Sequence, residues 1–399
     1  MRNLSLIIIV VVISAICNSC GDSSTTPPKP ENGNGNINNM DLVYDIVKKS
    51  QISYIKSLQL PSGAITDNTQ SNSKICGYFA NFACIALLKN PSTENTDVVK
   101  KYMQWYMGKL NGEVNTIQGG SEIVGSIYDY YAPNETTQGN YDSVDSYAAT
   151  FLMLAQEFAM LSAENKSWLM QYITKLNLVA KALETCLDTE ENSIPTTFSN
   201  DDDDYLSIAS YVYPAKYLMD NSEVNRGLKS AKWLHDEGLL TTTSNYNMLV
   251  NKNTNSIESE FWQSTMYNWI DNKDNEDVLT SSWDKFYADA TSQLYPAIFE
   301  VIDPYSSRAN KLYTEFNKNY PNWSLGILPS SSHAWAILSF AAANINDKAR
   351  VEEYMKHIYS FNSVNKQKDH WYSFESAFVL LAIDKIKKSS SATPYIPLN

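Results

Sequence analysis

The chain reads as all-α, an (α/α)6 toroid of helical hairpins, and three observations lead there. From Asp41 onward apolar residues recur at helical spacing almost throughout. The helices so predicted have ordinary lengths and are joined alternately by short turns and longer loops. No stretch shows convincing alternation of strand and helix, and no repeat of about 34 residues marks a helical solenoid. Twelve core helices paired in this way close into a ring whose inner members line a central cleft.

The elements follow in order. Val43, Ile46, Val47, Tyr54 and Leu58 define a first helix, which Pro61-Ser62-Gly63 ends. Helices are then expected near 75–89, 95–111 (Val98, Tyr102, Trp105, Tyr106, Leu110) and 142–162 (Val144, Tyr147, Phe151, Leu154, Phe158). Others are expected near 165–187, 204–220, 222–238, 256–271, 283–302, 305–319, 332–344, 347–361 and 371–387. The best strand candidates are Leu239–Thr243 with Met248–Asn251, around Ser244-Asn245.

The first forty residues belong to something else. One basic residue, Arg2, precedes an apolar run over Leu6–Ile16 and then Ser19-Cys20-Gly21. The run is shorter than the ~20 residues a spanning helix needs, and small residues precede a cysteine. Residues 1–19 therefore read as a lipoprotein signal peptide, with Cys20 as the lipidated N-terminus. Residues 20–40, rich in Ser, Thr, Pro, Asn and Gly, form a flexible tether. Residues 41–390 form the (α/α)6 domain. The opening resembles lipoproteins of gut-dwelling, glycan-degrading bacteria, whose lipoboxes are often relaxed as here, where Cys17 stands in place of Leu. That places the protein in the outer membrane or periplasm, possibly at the cell surface, with membrane contact through the N-terminal lipid only.

A net charge of −13 excludes nucleic acid as a partner, because no basic surface is available to neutralise phosphates. Nine Trp, 26 Tyr and 13 Phe supply either core or sugar-stacking rings. Cys76, Cys84 and Cys186 fit buried free thiols better than a disulfide scaffold. Four histidines without metal-ligand spacing, no phosphate-binding glycine loop and no nucleophile elbow leave no cofactor and no metal expected.

Several segments resemble six-hairpin glycosidase-like proteins. They are Leu60-Pro61-Ser62-Gly63-Ala64-Ile65, Tyr78-Phe79-Ala80-Asn81-Phe82-Ala83, Gly125-Ser126-Ile127-Tyr128-Asp129-Tyr130, the stretch from Asp142 to Phe151, and Trp283 to Pro296. The resemblance spans roughly Asp41 to Lys388 and implies a carbohydrate-active protein in a superfamily that holds hydrolases and lyases.

Glycoside hydrolysis needs two carboxyl groups, one protonated and one ionised. Asp142 and Asp145 lie three apart on one face at a helix start, where they serve either as cap and first-turn acids or as site residues. Asp289 is expected mid-helix with Phe286, Gln293 and Pro296 on its stripe, facing the lumen or held in an ion pair. Glu122 sits in a loop that leads to Tyr128, either at a cleft edge or in solvent. Asp220 ends the expected 204–220 helix as a cleft residue or a turn. Asp201–Asp204 lacks the alternating ligands and turn glycine of a calcium loop and suits an acidic helix N-terminus instead. His333 and His370 adjoin aromatic residues and are structural, sugar-binding or, with a tyrosine, suited to a lyase.

The expectation is a glycoside hydrolase acting on extracellular oligo- or polysaccharide, with catalytic carboxyls drawn from Asp145, Asp289, Asp142 and Glu122. Substrate would rest on Tyr128, Tyr147, Trp283, Tyr287, Gln293, Trp371 and Tyr372. One alternative is a non-catalytic surface glycan-binding lipoprotein with a platform such as Trp262, Trp283 and Trp371. A second is a polysaccharide lyase, against which the acidic charge counts because uronates need cations.

Overall fold

Serine and asparagine side chains start most of the outer helices. In the computed structural model, which describes residues 39–112, 123–271, 280–329, 333–363, 370–389 and 395–396, thirteen α-helices are present. Asn39 accepts from the first-turn amides of α1 (Met40–Ser57), Ser92 opens α3 (Thr93–Gly108) and Ser162 opens α5 (Ala163–Met170). Asn245 opens α8 (Tyr246–Ser256) and Ser306 opens α10 (Ser307–Asn319). α6 (Ile173–Thr185) and α12 (Lys348–Ser363) complete the outer layer.

The inner helices differ in composition. α2 (Gly77–Leu88), α4 (Val144–Leu161), α11 (Ile337–Asn344) and α13 (Ser373–Lys388) are buried over most of their surface. A helix apolar on all sides is stable only when other helices surround it. Together with α7 (Leu218–Asp236) and the short α9 (Tyr295–Ile298) they close a ring in the order α2, α4, α7, α9, α11, α13 and back to α2. Each inner helix follows an outer one, so the chain winds as six hairpins, the third of which splits its outer helix into α5 and α6. The tightest inner contact is between α4 and α7. A Cβ on Gly227 would lie 2.5 Å from the Cβ of Ala149, so glycine is what admits the approach.

Two small antiparallel ladders edge the ring. Lys74–Ile75 (β1) pairs with Tyr130–Tyr131 (β2), with Lys74 opposite Tyr131. Lys216–Tyr217 (β3) pairs with Ile270–Asp271 (β4), with Lys216 opposite Asp271. Cys76, Cys84 and Cys186 are buried free thiols. No helix among the described residues is long and apolar enough to cross a membrane.

Four segments depart from the periodicity. No helix forms over 204–216. Pro214 disfavours helical backbone at Tyr213, Tyr205 is left-handed (φ 64°), and the Asp204 carboxylate takes the Leu206 amide. The helix α7 therefore begins at Leu218, four residues before the expected start at 222. The strand pair around Ser244-Asn245 is instead the entry to α8, because Asn245 accepts from the Met248 amide and caps a helix there. Residues 256–271 give only a wide π-turn at Ile257–Phe261 and then β4. Residues 283–302 break into a π-turn at Phe286–Ala290 and α9, with Tyr287 extended inside it (φ −116°, ψ 134°).

Candidate active site

Contacts between helix starts show that the inner helices present their N-termini at one mouth of the ring. Tyr78 of α2 stacks on Phe374 of α13 at 5.5 Å and donates to Glu223 of α7 at 2.5 Å. Glu375 of α13 accepts from the Ala336 amide that enters α11 at 2.7 Å. Ser207, just ahead of α7, donates to Asp145 of α4 at 2.6 Å. The partial positive charge of helix N-termini makes such a mouth hospitable to carboxylates.

Besides Glu375, four carboxyl groups collect there in two rows. The front row is half-buried: Asp142, two residues before α4, and Asp220 in the first turn of α7. The back row is buried: Asp145 at 0 % exposure and Glu223 at 2 %. Asp145 is saturated with donors. Its Oδ1 accepts from the Ser143 hydroxyl at 2.5 Å and the Ser146 amide at 2.7 Å, and its Oδ2 accepts from Ser207.

The electrostatics separate the four groups. Burial pushes Asp145 up to about 6 against the donors of Ser143, Ser207 and Ser146. Burial pushes Glu223 up to about 8, opposed by Tyr78 and reinforced by Asp145. Asp220 is raised well above the carboxylate range by burial and then by Asp145, Glu223 and Asp142. Asp142 is pushed up to about 7 by burial, with the Lys74 ammonium opposing and Asp129 adding. Asp142 thus has a cation in its field, whereas Asp220 is set among other carboxyls. Lys74 itself pairs with the buried Asp129 at 2.7 Å, and Asp129 accepts from Tyr147 at 2.9 Å.

Tyrosines wall this mouth. Tyr287 is half-buried and is raised by burial and by the charges of Asp220, Asp142 and Glu223. Its ring lies 5.3 Å from that of Trp335. Tyr295 is raised by burial, Glu223, Tyr287 and Asp220. Tyr372 is half-buried, 5.1 Å from the His333 ring and 5.6 Å from Phe79. Burial, with His370 adding, holds His333 down at about 4.

Of the residues singled out in the sequence, Asp142, Asp145, Tyr287 and Tyr147 come to this end of the molecule, and Tyr372 lines the mouth on the α13 side. Tyr147 is buried and receives the Cys76 thiol at 3.1 Å, so it is part of the wall behind the surface. Asp289 is not mid-helix. The break at Tyr287 places it in a π-turn, where its carboxylate accepts from the Ser282 amide at 2.9 Å. Gln293 is 1 % exposed and clamps Tyr267 through both its amide and its carbonyl, which leaves it no face for a ligand. Trp371 is 3 % exposed and donates to Gln51 and Ser376 inside the α1–α13 packing. Trp283 is half-buried, with its carbonyl bonded to Tyr320, and Tyr128 stacks on Tyr141 at 5.8 Å. Glu122 and Cys20 lie outside the described residues.

Glu223, Tyr78 and Lys74 were not among the expected site residues, and Asp220 was only one possibility. A signal for two of them was present. Asp220-x-x-Glu223 repeats the i, i+3 acidic spacing of Asp142-x-x-Asp145 at a helix start, and the repeat is hidden when α7 is begun at 222.

Asp201–Asp204 is not a helix N-terminus either. Two of these acids bond Lys216, which is 0 % exposed and donates to Asp204 at 2.8 Å, Asp202 at 3.2 Å, Asp188 at 2.7 Å and the Asn200 carbonyl at 3.1 Å.

Known structures share this architecture. A glucoamylase from Hormoconis resinae superposes with a TM-score of 0.57 at 8% identity, covering 90% of this chain and 76% of its own. A β-1,3-1,4-glucanase from Paenibacillus sp. X4 gives 0.55 at 10% identity, with 87% and 93% covered. A glycosidase solved in complex with glucose gives 0.55 at 11% identity, with 87% and 98% covered. The fold is the (α/α)6 six-hairpin fold of glycosidases. No family model and no curated protein matches the sequence.

Proposed function

We propose that the protein is a glycoside hydrolase whose catalytic carboxyls are Asp220 and Asp142. The carrying observation is the pairing, at the mouth of the ring, of two reachable carboxyls in opposed environments. Asp220, raised well above the carboxylate range by burial and by Asp145, Glu223 and Asp142, serves as the general acid to the glycosidic oxygen. Asp142, within the field of Lys74, is the group more easily ionised and serves as base or nucleophile. Asp145, held by two serine hydroxyls and an amide, is a positioning residue for the α4 start. The six-hairpin fold supports the reaction class. Because a glucoamylase and a β-glucanase both share it, the fold does not select α- or β-linked substrate.

A lyase acting on uronic acids fits less well. The cation acting on Asp142, Lys74, is already paired with Asp129, so it is not free to neutralise a uronate.

The test is product analysis over a panel of neutral and acidic polysaccharides with wild type, Asp220→Asn and Asp142→Asn. Loss of an acid–base group costs roughly 10²–10⁴-fold in rate. Each amide variant should fall by that amount with its circular dichroism unchanged. Release of an unsaturated, ultraviolet-absorbing product would establish the lyase instead, and binding without turnover would establish a glycan-binding protein.

The N-terminal signal supports action outside the cytoplasm on a lipid anchor at Cys20. Cys20→Ala should leave the membrane fraction and take up no labelled fatty acid. A variant that remains membrane-bound contradicts the anchor.

A further inference from the structure

Beside the carboxyl mouth runs a row of rings that the proposed chemistry does not use. Phe198 is 41 % exposed and lies 4.5 Å from Tyr213. Tyr213 is 6.2 Å from Tyr217 with planes at 25°, and Tyr217 is 5.8 Å from Trp269 with planes at 12°. Val212, 63 % exposed, widens the apolar surface at the outer end. At the inner end Tyr217 is the residue just before α7, three positions from Asp220, and it feels the charges of Asp220 and Tyr287. The row is therefore continuous with the candidate active site.

Folding accounts for Tyr217, which is 5 % exposed and packs with Ala209, Ala215 and Ile270, but not for the rings around it. A single exposed ring is ordinary, but Phe198, the half-buried Tyr213 and Trp269 and the exposed Val212 make an apolar strip on a chain of net charge −13. The strip is also held rigid. Lys216, next to Tyr217 on β3, bonds the carbonyl of Asn200, two residues past Phe198, and the carboxylates of Asp188, Asp202 and Asp204. One buried ammonium thus ties the loop bearing Phe198 to the strand bearing Tyr217. The Tyr217 hydroxyl donates to that of Tyr213 at 3.0 Å, which fixes the two rings relative to each other. Rings fixed beforehand lose little entropy on binding.

We propose that Phe198, Tyr213 and Trp269, backed by the buried Tyr217, form an extended binding strip for a neutral polysaccharide chain, leading away from the Asp220 side of the mouth. The ligand class follows from the chemistry. Uncharged rings with hydroxyl edges match the apolar faces and polar rims of pyranose rings, and a strip continuous with a glycosidic site takes the part of the chain not being cleaved. The inference rests on the mouth being the sugar site, and its test separates the two.

Asp220→Asn protein, in which turnover is removed, is run on native gels containing soluble starch, mixed-linkage β-glucan, xylan or α-mannan. Phe198→Ala, Tyr213→Ala and their double variant are compared on the same background. Tyr305→Ala, an exposed ring on another hairpin, is the control. Aromatic contacts contribute about 0.5–1.5 kcal/mol each. The parent should be retarded by at least one polysaccharide, each single variant should weaken that about three- to tenfold, and Tyr305→Ala should change nothing. On the active background the same variants should lose kcat/KM on polymer while retaining it on a disaccharide. Retardation that depends on the strip without any hydrolysis by wild type refutes the hydrolase reading and keeps the strip. Hydrolysis or retention indifferent to Phe198 and Tyr213, or no retention of the parent by any polysaccharide, overturns the strip.

Discussion

Two clusters of acidic side chains sit within one stretch of this chain, and they are built on opposite principles. Around Lys216 the carboxylates of Asp188, Asp202 and Asp204 share a buried ammonium. At the mouth, Asp142, Asp145, Asp220 and Glu223 face one another, and the neighbouring Lys74 is paired with Asp129. Burial alone would lower the Lys216 ammonium, but Asp204 and Asp188 reverse this and hold it raised. The first cluster is a staple tied by one ammonium, although burial still holds Asp204 up at about 7. The second has no ammonium bonded into it, and burial together with its own neighbouring carboxyls raises Asp220. Unrelieved repulsion costs stability and is kept where chemistry needs a protonated acid at neutral pH.

The sharpest way to break this contrast is to remove one member of each cluster and compare stability. Lys216→Met leaves three carboxylates around an apolar side chain, and removing one partner of a buried ion network costs about 3–5 kcal/mol. Asp220→Asn removes a carboxyl already disfavoured by its neighbours, so its Tm should hold or rise. Thermal unfolding of the two variants side by side checks both. A Lys216→Met variant as stable as wild type would mean that the acidic loop needs no staple.

Much of the fold was legible because the inner helices α2, α4, α11 and α13 are buried over most of their surface and most outer helices carry serine or asparagine caps. The illegible parts share one cause, which is side chains competing with the backbone. Asp204 takes the Leu206 amide, Asp289 takes the Ser282 amide, and Asn245 turns an expected hairpin into a helix start. The first of these lies in the unwound 204–216 segment, so the helix expected to end at 220 is absent and α7 begins at Leu218, which hid the Asp220–Glu223 pair. Asp142 and Asp145 were visible because the periodicity begins beside them, although the cap of α4 is Ser143 and not Asp142. Lys74 could not be read as a neighbour of Asp142, since the contact depends on β1 meeting β2 across the ring edge.

The pH dependence of stability gives a second, smaller contrast. For Glu223 the folded value, about 8, lies above its ordinary 4.5, and for Asp142 about 7 lies above 3.8. Between those limits the folded state binds more protons than the unfolded one, so these groups lower stability as pH rises from roughly 4 to 8. Below that window they contribute nothing. Lys216 behaves oppositely, since its contribution persists to strongly alkaline pH. Across pH 4.5–8, therefore, Glu223→Gln should flatten the fall in Tm, whereas Lys216→Met should shift the whole curve downward. Parallel curves for wild type and Glu223→Gln would remove Glu223 from the proton-retaining set.

The smallest expected effect concerns the hydroxyl that joins the two ends of the ring. Tyr78 is the donor that opposes burial at Glu223, and its ring packs on Phe374 and on Phe82 at 5.1 Å. Tyr78→Phe keeps the packing and removes the donor, so Glu223 should move further upward and bind its proton more firmly. A more fully protonated Glu223 repels Asp220 less, which lowers the Asp220 value and moves the alkaline limb of the pH–rate profile toward neutrality. The shift should be a fraction of a unit, with a change in rate at the optimum of no more than about threefold, because a hydrogen bond to a charged group is worth roughly 1.5–3 kcal/mol and only part of that reaches the second carboxyl. An alkaline limb that stays in place while Tm falls would make Tyr78 a purely structural bond between α2 and α7.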